Sequence, residues 1–310
     1  MKNKNLRIIS YNSPELFEEE FNQRYNSSCT FRTGLYIVPF STIKGERLPN
    51  EKYELFSVSR TENLILEDKI LRKSAKIREL FSELPPIAQK KMLFSQMINE
   101  IQSTNDIEGV RSTRKELNEA ARHKNSKAKV RFKGIVSQYL NIGESEYESI
   151  QELEDFRKIF DNLFLDDMEE ENLPDGELFR KDVVYIQDER QNVHQGSPNE
   201  KLIKEDLVNL IKFMNNNAFP FLLKAAITHY YFEYVHPFYD GNGRMGRFIL
   251  SSYLSKKLDK FTGVSISNAI GANKQKYLDA FIEVSHPRNR GEVTHFVKTL
   301  YELIIEGQNK

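Results

Sequence analysis

Helical periodicity dominates the chain beyond its first 60 residues and excludes most β-rich folds. From Glu62 onward, apolar residues recur at the spacing of an amphipathic helix until Pro85 and Pro86 end the run. A second run ends near Gly109, a residue type that suits the left-handed position after a helix. Further helices are predicted at about 203–217, 218–235, 243–257, 271–284 and 291–306. The sequence therefore predicts a mainly α fold.

The first 60 residues differ from this pattern. Short β-favouring runs, separated there by clusters of Asn, Ser, Pro and Gly, lie at Leu6–Ile9, Leu35–Val38 and Leu55–Val58. A small irregular or β-containing extension is therefore predicted at the N-terminus. In the second half of the chain, Asp182–Gln187 is typical of a strand and Asp188–Asn192 of a turn, with a strand returning after it. A β-hairpin is predicted there.

Composition is typical of soluble globular proteins. The 310 residues carry 45 Lys and Arg against 45 Asp and Glu, with 39% hydrophobic residues, which excludes intrinsic disorder and an integral membrane protein. The longest nearly apolar stretch, Ala218–Ile227, contains Lys224 and is shorter than the roughly 18–20 residues that span a bilayer. The single cysteine, Cys29, excludes an internal disulfide. A cytoplasmic protein without a membrane partner is expected.

A basic segment between Arg111 and Lys133 holds nine Lys and Arg residues against two Glu, a local charge of +7. Such a cluster raises the alternative of a nucleic-acid-binding regulatory module. Aromatic residues are limited there to Phe132, and a run of this kind usually forms a solvated helix face or loop. Thr113 and Glu116 form the T-x-x-E pattern of a capping box, which predicts a helix start. Nucleic acid is therefore disfavoured as a partner.

The most informative stretch is a glycine-containing turn followed by the start of a helix. Gly241, Asn242 and Gly243 can point successive backbone N–H groups into one concavity, and the helix that follows adds its positive end. Arg244 and Arg247 lie three residues apart on that helix, so both can reach one phosphate chain. The pattern predicts an anion site.

Two further side chains beside this turn suggest chemistry. Asp240 supplies one hard oxygen ligand, which is how Mg²⁺ is commonly held when phosphates complete its shell. His236 is a candidate base because imidazole titrates near neutrality. A magnesium ion and a general base are therefore predicted beside the anion site.

Three other motifs fit this stretch less well. Gly241–Gly246 satisfies G-x-G-x-x-G, with Asp259 in the range of the dinucleotide-binding acid, but the segment before it has helical rather than strand periodicity. The phosphate-loop motif G-x-x-x-x-G-K-(S/T) is absent from the sequence. His229, Glu233 and His236 share a helical face at a metal-compatible spacing, yet the HExxH order and a local third His are lacking. A hydrogen-bonded core or cleft-wall role is favoured for His229 and Glu233.

Two segments of the sequence resemble the motifs of a known family. His236–Arg247 matches the Fic motif H-x-F-x-(D/E)-G-N-G-R-x-x-R at every specified position. Thr104–Gly109 fits the family's inhibitory pattern (S/T)-x-x-x-E-(G/N), at the end of a helix well upstream of the core. The chain thus resembles Fic/DOC family protein adenylyltransferases with an N-terminal inhibitory helix. The resemblance covers about residues 90–306.

The resemblance implies a fold and a domain organisation. The fold is a Fic-type helical bundle with a small β-hairpin flap and a short β-containing N-terminal extension. The extension covers residues 1–60, a helical region with the inhibitory helix ending near residue 108 covers 61–145, and the catalytic core covers 146–310. The predicted hairpin at Asp182–Gln195 stands at the place of the flap, which registers an extended target segment by main-chain pairing.

The resemblance also implies an activity: transfer of AMP from ATP to a Ser, Thr or Tyr hydroxyl of a protein, with release of pyrophosphate. His236 is implied as the general base, Phe238 as an anchor in the core, and Asp240 as the Mg²⁺ ligand between the α- and β-phosphates. Arg244 is implied at the β/γ end of the nucleotide and Arg247 at its γ-phosphate. Displacement at the α-phosphorus would be catalysed mainly by positioning and charge stabilisation.

Nucleotide binding is implied for further positions. In the family, the amides around Gly241, Asn242 and Gly243 cradle the phosphates. Asn273 and Tyr277 lie in the region that borders the nucleotide base.

Glu108 lies at the end of its helix, where the helix dipole disfavours an exposed acid by about 0.3–1 kcal/mol. A solvated helix end is the ordinary interpretation. The resemblance implies instead that Glu108 pairs with Arg247, takes a partner from the γ-phosphate and keeps basal activity low. In some relatives the same glutamate helps position water that removes AMP, so a bifunctional enzyme is a further alternative.

The donor and the partners are left open. Relatives transfer UMP, phosphocholine or a whole phosphate, although the complete G-N-G-R-x-x-R favours a triphosphate tail. The target protein is unknown, and self-modification is an alternative. Several relatives pair through the helical core, so a homodimer is another.

Overall fold

The structure is a computed structural model that describes residues 4–144, 149–187 and 191–310. The described residues form fourteen α-helices and three antiparallel pairs of short strands, which confirms the mainly α prediction. The helices are α1 (Leu6–Asn12), α2 (Phe17–Tyr25), α3 (Thr61–Ser82), α4 (Pro86–Ile107), α5 (Arg114–Arg122), α6 (Lys133–Glu144), α7 (Leu153–Phe164), α8 (Glu200–Met214), α9 (Phe221–Val235), α10 (Asn242–Lys257), α11 (Lys260–Gly263), α12 (Ile266–Ala272), α13 (Lys274–Ser285) and α14 (Thr294–Gly307). The strands are β1 (Thr30–Ile37), β2 (Phe40–Ser41), β3 (Glu46–Arg47), β4 (Tyr53–Val58), β5 (Tyr185–Gln187) and β6 (Asn192–Gln195).

Helix boundaries follow the signals in the sequence. Pro86 is the first residue of α4, a position where the missing N–H costs no hydrogen bond. The Thr113 hydroxyl accepts from the Glu116 N–H, and the Glu116 carboxylate accepts from the Thr113 N–H. The predicted capping box therefore starts α5.

The N-terminal extension contains helices as well as strands. The prediction of a β-favouring run at Leu6–Ile9 is wrong, because these residues belong to α1. The buried residues of α1 lie at the i, i+3, i+4 spacing of one helical face, and a four-residue run with three apolar residues does not distinguish strand from helix by its period. The runs at Leu35–Val38 and Leu55–Val58 overlap β1 and β4, which pair antiparallel. The predicted hairpin forms as β5 and β6, while residues 188–190 of its predicted turn lie outside the described residues.

The chain forms two compact units. The first comprises Met1–Leu66, Asp182–His236 and Gln275–Tyr301, and the second comprises Glu67–Lys181, Pro237–Lys274 and Glu302–Lys310. The domain boundaries proposed from sequence near residues 60 and 145 stay predictions, and residue 145 lies outside the described part. Among the described residues, no helix combines the length and hydropathy needed to cross a membrane.

The core of the first unit is built around α9, which is buried on nearly its whole circumference, as expected for a helix that is apolar all round. The ring of Tyr230 packs against Phe281 and Phe296. The N-terminal extension joins this core through a buried ion cluster. There the Glu292 carboxylate accepts from Arg24 and from Arg60, at 2.7 Å each.

The core of the second unit packs α4 against α12, α10 and α6. Glu100 of α4 is fully buried there. Its carboxylate accepts from the Ser251 hydroxyl at 3.2 Å, from the Ser267 N–H at 2.8 and 2.9 Å, and from the Asn268 N–H at 3.3 Å. Burial raises the pKa of Glu100, and these hydrogen bonds oppose part of that rise. Glu100 therefore fixes α4 to both α10 and the start of α12.

Replacing Glu100 by glutamine is expected to lower the free energy of unfolding by about 1–3 kcal/mol. The amide group that replaces one carboxylate oxygen would face the N–H of Ser267 at close range, so a donor meets a donor and one of the buried hydrogen bonds to this position is lost. Urea denaturation followed by circular dichroism measures the effect. The matched control is Glu119→Gln on α5, where the side chain is exposed. Equal midpoints for the two variants would contradict the role assigned to Glu100.

Candidate active site

The Fic-like motif begins at the last residue of the first unit, His236. This residue follows α9 in the left-handed region, with φ 53° and ψ 63°, a conformation that costs a non-glycine residue about 1–2 kcal/mol. The His236 Nδ1 atom lies 3.3 Å from the Glu233 carbonyl oxygen. When Nδ1 carries the proton and donates to that carbonyl, Nε2 is the basic nitrogen.

The rest of the motif belongs to the second unit and begins with a tight turn. Phe238 is fully buried, and its ring stacks on Phe160 with the centroids 3.9 Å apart. The Asn242 side chain closes the turn, since it accepts from the Phe238 N–H at 2.9 Å and donates to the Phe238 carbonyl oxygen at 2.8 Å. Gly241 has φ 84°, which favours glycine, and α10 starts directly after it. The turn is thus held by its own polar groups and anchored by an aromatic ring.

Asp240 and Arg244 form an ion pair across the first turn of α10, at 2.9 Å. Arg244 is buried, with its guanidinium 4.7 Å from the centre of the Phe164 ring, whereas the Asp240 side chain is 44% exposed. The second Asp240 oxygen accepts from the Gly241 N–H at 2.6 Å.

A magnesium ion fits the donor set at Asp240 if other oxygens complete its shell. An ionised carboxylate has about four acceptor sites, so the two hydrogen bonds leave lone pairs on an exposed group. The described residues include no cluster of three or more His, Cys, Asp or Glu side chains suited to a metal ion. The remaining oxygens of a magnesium shell would therefore come from water and a bound phosphate chain.

Arg247 points toward the end of α4 and is 1% exposed. Its Nε donates to the Thr104 hydroxyl at 2.8 Å, and its Nη2 donates to the Thr104 carbonyl oxygen at 3.1 Å. The same Nη2 donates to Glu108 Oε1 at 2.7 Å. The second arginine of the motif is therefore bound by the segment predicted to be inhibitory.

The Glu108 carboxylate lies directly on the start of α10. A Cβ atom built on Gly243 would stand only 2.1 Å from Glu108 Oε1, so the carboxylate packs against the glycine itself. The first turn of a helix attracts anions, because its N–H groups lack partners within the helix and the dipole is positive there. Glu108 thus occupies the position where the sequence predicts an anion.

The structure gives protein partners to the two residues predicted near a nucleotide base. In the second unit, the Asn273 amide donates to the Ala269 carbonyl at 3.0 Å and to Glu306 at 2.8 Å. In the first unit, Tyr277 is 4% exposed, and its hydroxyl lies 2.7 Å from His229 Nε2. A role of these two residues in nucleotide binding stays a prediction.

Two contacts at the end of α4 were not predicted. Thr104 lies one helical turn before Glu108, a spacing that places both on one face and could have indicated a shared partner. Lys274 Nζ donates to the Ile107 carbonyl oxygen at 2.7 Å, and no local pattern in the sequence points to it. A cation at a helix C-terminus is favourable, so Lys274 and Arg247 offset the acids that end α4.

The basic segment makes several local contacts. Arg131 pairs with Glu116 at 3.2 Å, and Lys133 donates to the carbonyl oxygens of Ser126 and Ala128. The segment is therefore held in part by its own ion pair and hydrogen bonds.

Comparison with known proteins agrees with this site. The Fic/DOC family model matches residues 149–254, which include the whole motif. Together with the helical fold, this match shows that the chain carries a Fic/DOC family domain.

Individual proteins are also similar to this chain. The chain is 34% identical over 77 residues to a probable protein adenylyltransferase of Aquifex aeolicus, a match that covers 25% of this chain. It spans only 21% of the length of that curated relative. A Fic family protein from Desulfovibrio desulfuricans has a TM-score of 0.64 at 18% identity, covering 81% of this chain and 74% of the other. A Fic-1 fragment from C. elegans has a TM-score of 0.51 at 16% identity, covering 79% and 71%. At these identities, the two structures support the fold alone.

Proposed function

We propose that this protein is a self-inhibited protein adenylyltransferase that transfers AMP from ATP to a Ser, Thr or Tyr hydroxyl of a protein, with release of pyrophosphate. The observation that carries the proposal is the Glu108 carboxylate, which sits on Gly243 and pairs with Arg247 where an anion is expected. An internal anion at such a place indicates that the site is built for anionic groups and is closed in this state.

His236 is the proposed general base. It precedes Asp240 by four residues in the chain, so the base and the phosphate-binding turn are joined by a short segment. Its Nε2 would take the proton of the attacking hydroxyl, while Nδ1 donates to the Glu233 carbonyl and holds the ring orientation. The hydroxyl oxygen then bonds to the α-phosphorus as the bond to the β-phosphate oxygen breaks.

The phosphate chain would be bound by the start of α10. The backbone N–H groups at Gly241, Asn242 and Gly243 and the guanidinium groups of Arg244 and Arg247 are the donors for it. Asp240 would hold a magnesium ion together with the phosphates, and the ion would supply neutralisation of charge on the leaving pyrophosphate. Buried donors of this kind act mainly by stabilising charge that develops in the transition state.

In this proposal, Glu108 keeps the basal activity low. While it occupies Arg247 and the face of Gly243, a γ-phosphate loses a partner and meets a negative charge. The nucleotide is then bound with its α-phosphate misaligned. The side chain of Glu108 is 33% exposed, so its ion pair with Arg247 is accessible from solvent.

Position-specific labelling tests the proposed reaction. Glu108→Gly protein incubated with magnesium and ATP labelled at the α-phosphate should incorporate label into protein, and ATP labelled at the γ-phosphate should not transfer it. Incorporation from the γ-phosphate would indicate phosphate transfer instead. Competition by UTP, GTP and CDP-choline identifies another donor. No incorporation from any of these donors would contradict the proposal.

Replacing Asp240 by asparagine is expected to lower AMP transfer by at least about 100-fold, because a metal ion stabilises transition-state charge by several kcal/mol. The measurement is transfer from α-labelled ATP by Glu108→Gly protein over a range of magnesium concentrations. Asp166→Asn, an exposed aspartate of the same unit, is the control. Equal rates in the two variants at every concentration would remove Asp240 from the metal site.

A further inference from the structure

The last turn of α9 directly precedes His236 and ends in four carbonyl groups that have no partner among the N–H groups of the helix itself. They belong to Phe232, Glu233, Tyr234 and Val235. His236 serves the first two, since its N–H donates to the Phe232 carbonyl oxygen at 3.0 Å and its Nδ1 lies 3.3 Å from the Glu233 carbonyl oxygen. The position of the His236 ring therefore depends on the geometry of this turn.

The other two carbonyl groups are held by β6 and the residues that follow it. His194 Nε2 lies 2.8 Å from the Tyr234 carbonyl oxygen, and the Ser197 N–H donates to the Val235 carbonyl oxygen at 2.9 Å. A carbonyl oxygen can only accept a hydrogen bond, so Nε2 of His194 carries a proton and donates. With these two donors, each of the four carbonyl groups has a partner.

Arg47 of β3 connects the same turn to the N-terminal extension. Its Nε donates to the carbonyl oxygen of Gln195, the neighbour of His194, at 2.9 Å, and its Nη2 donates to the Tyr234 carbonyl oxygen at 3.5 Å. The Arg47 side chain is buried, with its guanidinium 4.5 Å from the centre of the Tyr234 ring. A cation is favourable at the C-terminal end of a helix. Arg47 therefore holds β6 against the end of α9.

Tyr234 is fixed through its side chain as well as its carbonyl group. Its hydroxyl accepts from the Val38 N–H at 2.8 Å, and its ring centre lies 5.4 Å from that of His194. The residue is buried and stands two positions before His236. Strained backbone conformations such as the left-handed one of His236 persist only where the surrounding structure holds them. The contacts of Tyr234 supply such a hold.

We infer that His194 and Arg47 are positioning residues for the general base: they hold the Tyr234 carbonyl group and thereby the backbone conformation and ring orientation of His236. The inference rests on the proposed function, because His236 is the base of the proposed reaction. It also gives a role to the N-terminal extension, which the family resemblance does not cover.

A pair of variants at position 194 tests the inference without catalysis. His194→Phe keeps an aromatic ring and removes the donor, whereas His194→Gln keeps an amide donor at the corresponding distance from the backbone. Nitrogen-15 spectra of histidine-labelled protein at about pH 8, where an ordinary imidazole is neutral, report which ring nitrogen carries the proton. The His236 signals are assigned by their loss in His236→Asn protein.

The unmodified protein and His194→Gln should show His236 protonated on Nδ1, the nitrogen that faces the Glu233 carbonyl oxygen. His194→Phe should show a mixture of the two tautomers, because the turn that orients the ring has lost a donor. An unchanged His236 spectrum in His194→Phe would overturn the inference. The same mixture in His194→Gln would assign the effect to the ring of His194 and would overturn it as well.

The same pair gives a catalytic measurement in the Glu108→Gly protein. Misplacement of a reacting group by about 1 Å can cost about 100-fold in rate, so His194→Phe is expected to lower transfer from α-labelled ATP by about 10- to 100-fold. His194→Gln should stay within about threefold of its parent, a small fraction of that loss in free energy. ATP affinity should be unchanged in both variants. A loss of ATP affinity as large as the loss of rate would contradict a role confined to the base.

A pair of arginine variants tests the contribution of the extension. Arg47→Ala should give the same mixture of His236 tautomers as His194→Phe. Arg24→Ala is the control, because Arg24 is also a buried arginine of the extension, but its described side-chain hydrogen bonds go to Glu20 and Glu292 and none reaches α9. Urea denaturation checks that both variants are folded. Equal changes in the His236 spectrum would show that loss of either buried arginine suffices, which contradicts the role assigned to Arg47.

The two levels of the account fail separately. If Glu108→Gly protein transfers no AMP, the proposed function is contradicted, while the spectra still decide whether His194 and Arg47 orient His236. If transfer occurs but His194→Phe leaves its rate unchanged, the positioning role fails and the proposed function stands.

Discussion

Replacing Glu108 by glycine is expected to raise the rate of AMP transfer about 10- to 100-fold. A hydrogen bond to a charged group contributes about 1.5–3 kcal/mol, and each 1.4 kcal/mol corresponds to about a factor of ten. The substitution removes the carboxylate from Arg247 and from the face of Gly243, so the γ-phosphate gains both a donor and a space free of negative charge. Initial rates with α-labelled ATP measure the effect.

The structure indicates that Arg247 keeps its place in that variant. Its Nε and Nη2 also donate to the hydroxyl and the carbonyl of Thr104, and both contacts remain when Glu108 is removed. The variant should therefore expose a correctly oriented guanidinium rather than a collapsed site.

Asp106→Gly is the matched control for the activation. It places glycine in the last turn of α4, two residues before Glu108, and removes an exposed acid, but the Asp106 side chain makes no contact with Arg247 among those described. We expect its rate to stay near that of the unmodified protein. Glu108→Gln, which keeps the size but not the charge, should lie between the two. Equal activation by Asp106→Gly and Glu108→Gly would show that loosening the helix end, and not the ion pair, controls the rate.

Replacing His236 by alanine in the activated protein is expected to lower AMP transfer by about 10²- to 10⁴-fold, the usual contribution of a positioned general base. ATP affinity should change little, because the proposed phosphate ligands lie on the turn and on α10. Transfer rates and calorimetric titration with ATP measure the two quantities.

A second variant separates the chemistry of His236 from its backbone conformation. His236 has positive φ, and alanine in the left-handed region is disfavoured. Asparagine tolerates that region but lacks a group that titrates near neutrality. His236→Asn should therefore fold with the same stability and still lose activity, while His123→Ala, at the end of α5, should keep it. Full activity of His236→Asn would exclude His236 as the base.

The parts of the fold that could be predicted are those that local chemistry determines. The 3.6-residue period located the long helices, Pro85 and Pro86 marked the end of one helical run, and the Thr113 capping box marked a helix start. The strand prediction at Leu6–Ile9 is wrong because a run of four residues, three of them apolar, is too short to show a period.

The site could be predicted in part for the same reason. Asp240 and Arg244 pair across one helical turn, so their proximity follows from spacing. Contacts between distant segments, such as Glu100 with Ser267 or Arg47 with Gln195, have no such spacing rule. The Arg247–Glu108 pair joins residues 139 positions apart, and it was expected only from the family resemblance.

Titration with ATP and with AMP tests the central claim most directly, namely that Glu108 closes a site for a polyphosphate tail. Both ligands are titrated with magnesium into His236→Ala protein, which should not turn over, and into the same protein with Glu108→Gly added. We predict that the added substitution tightens ATP binding about tenfold, corresponding to about 1.4 kcal/mol, and leaves AMP binding within about twofold, because only ATP reaches Arg247. An equal change for both nucleotides, or no change for ATP, would contradict the claim.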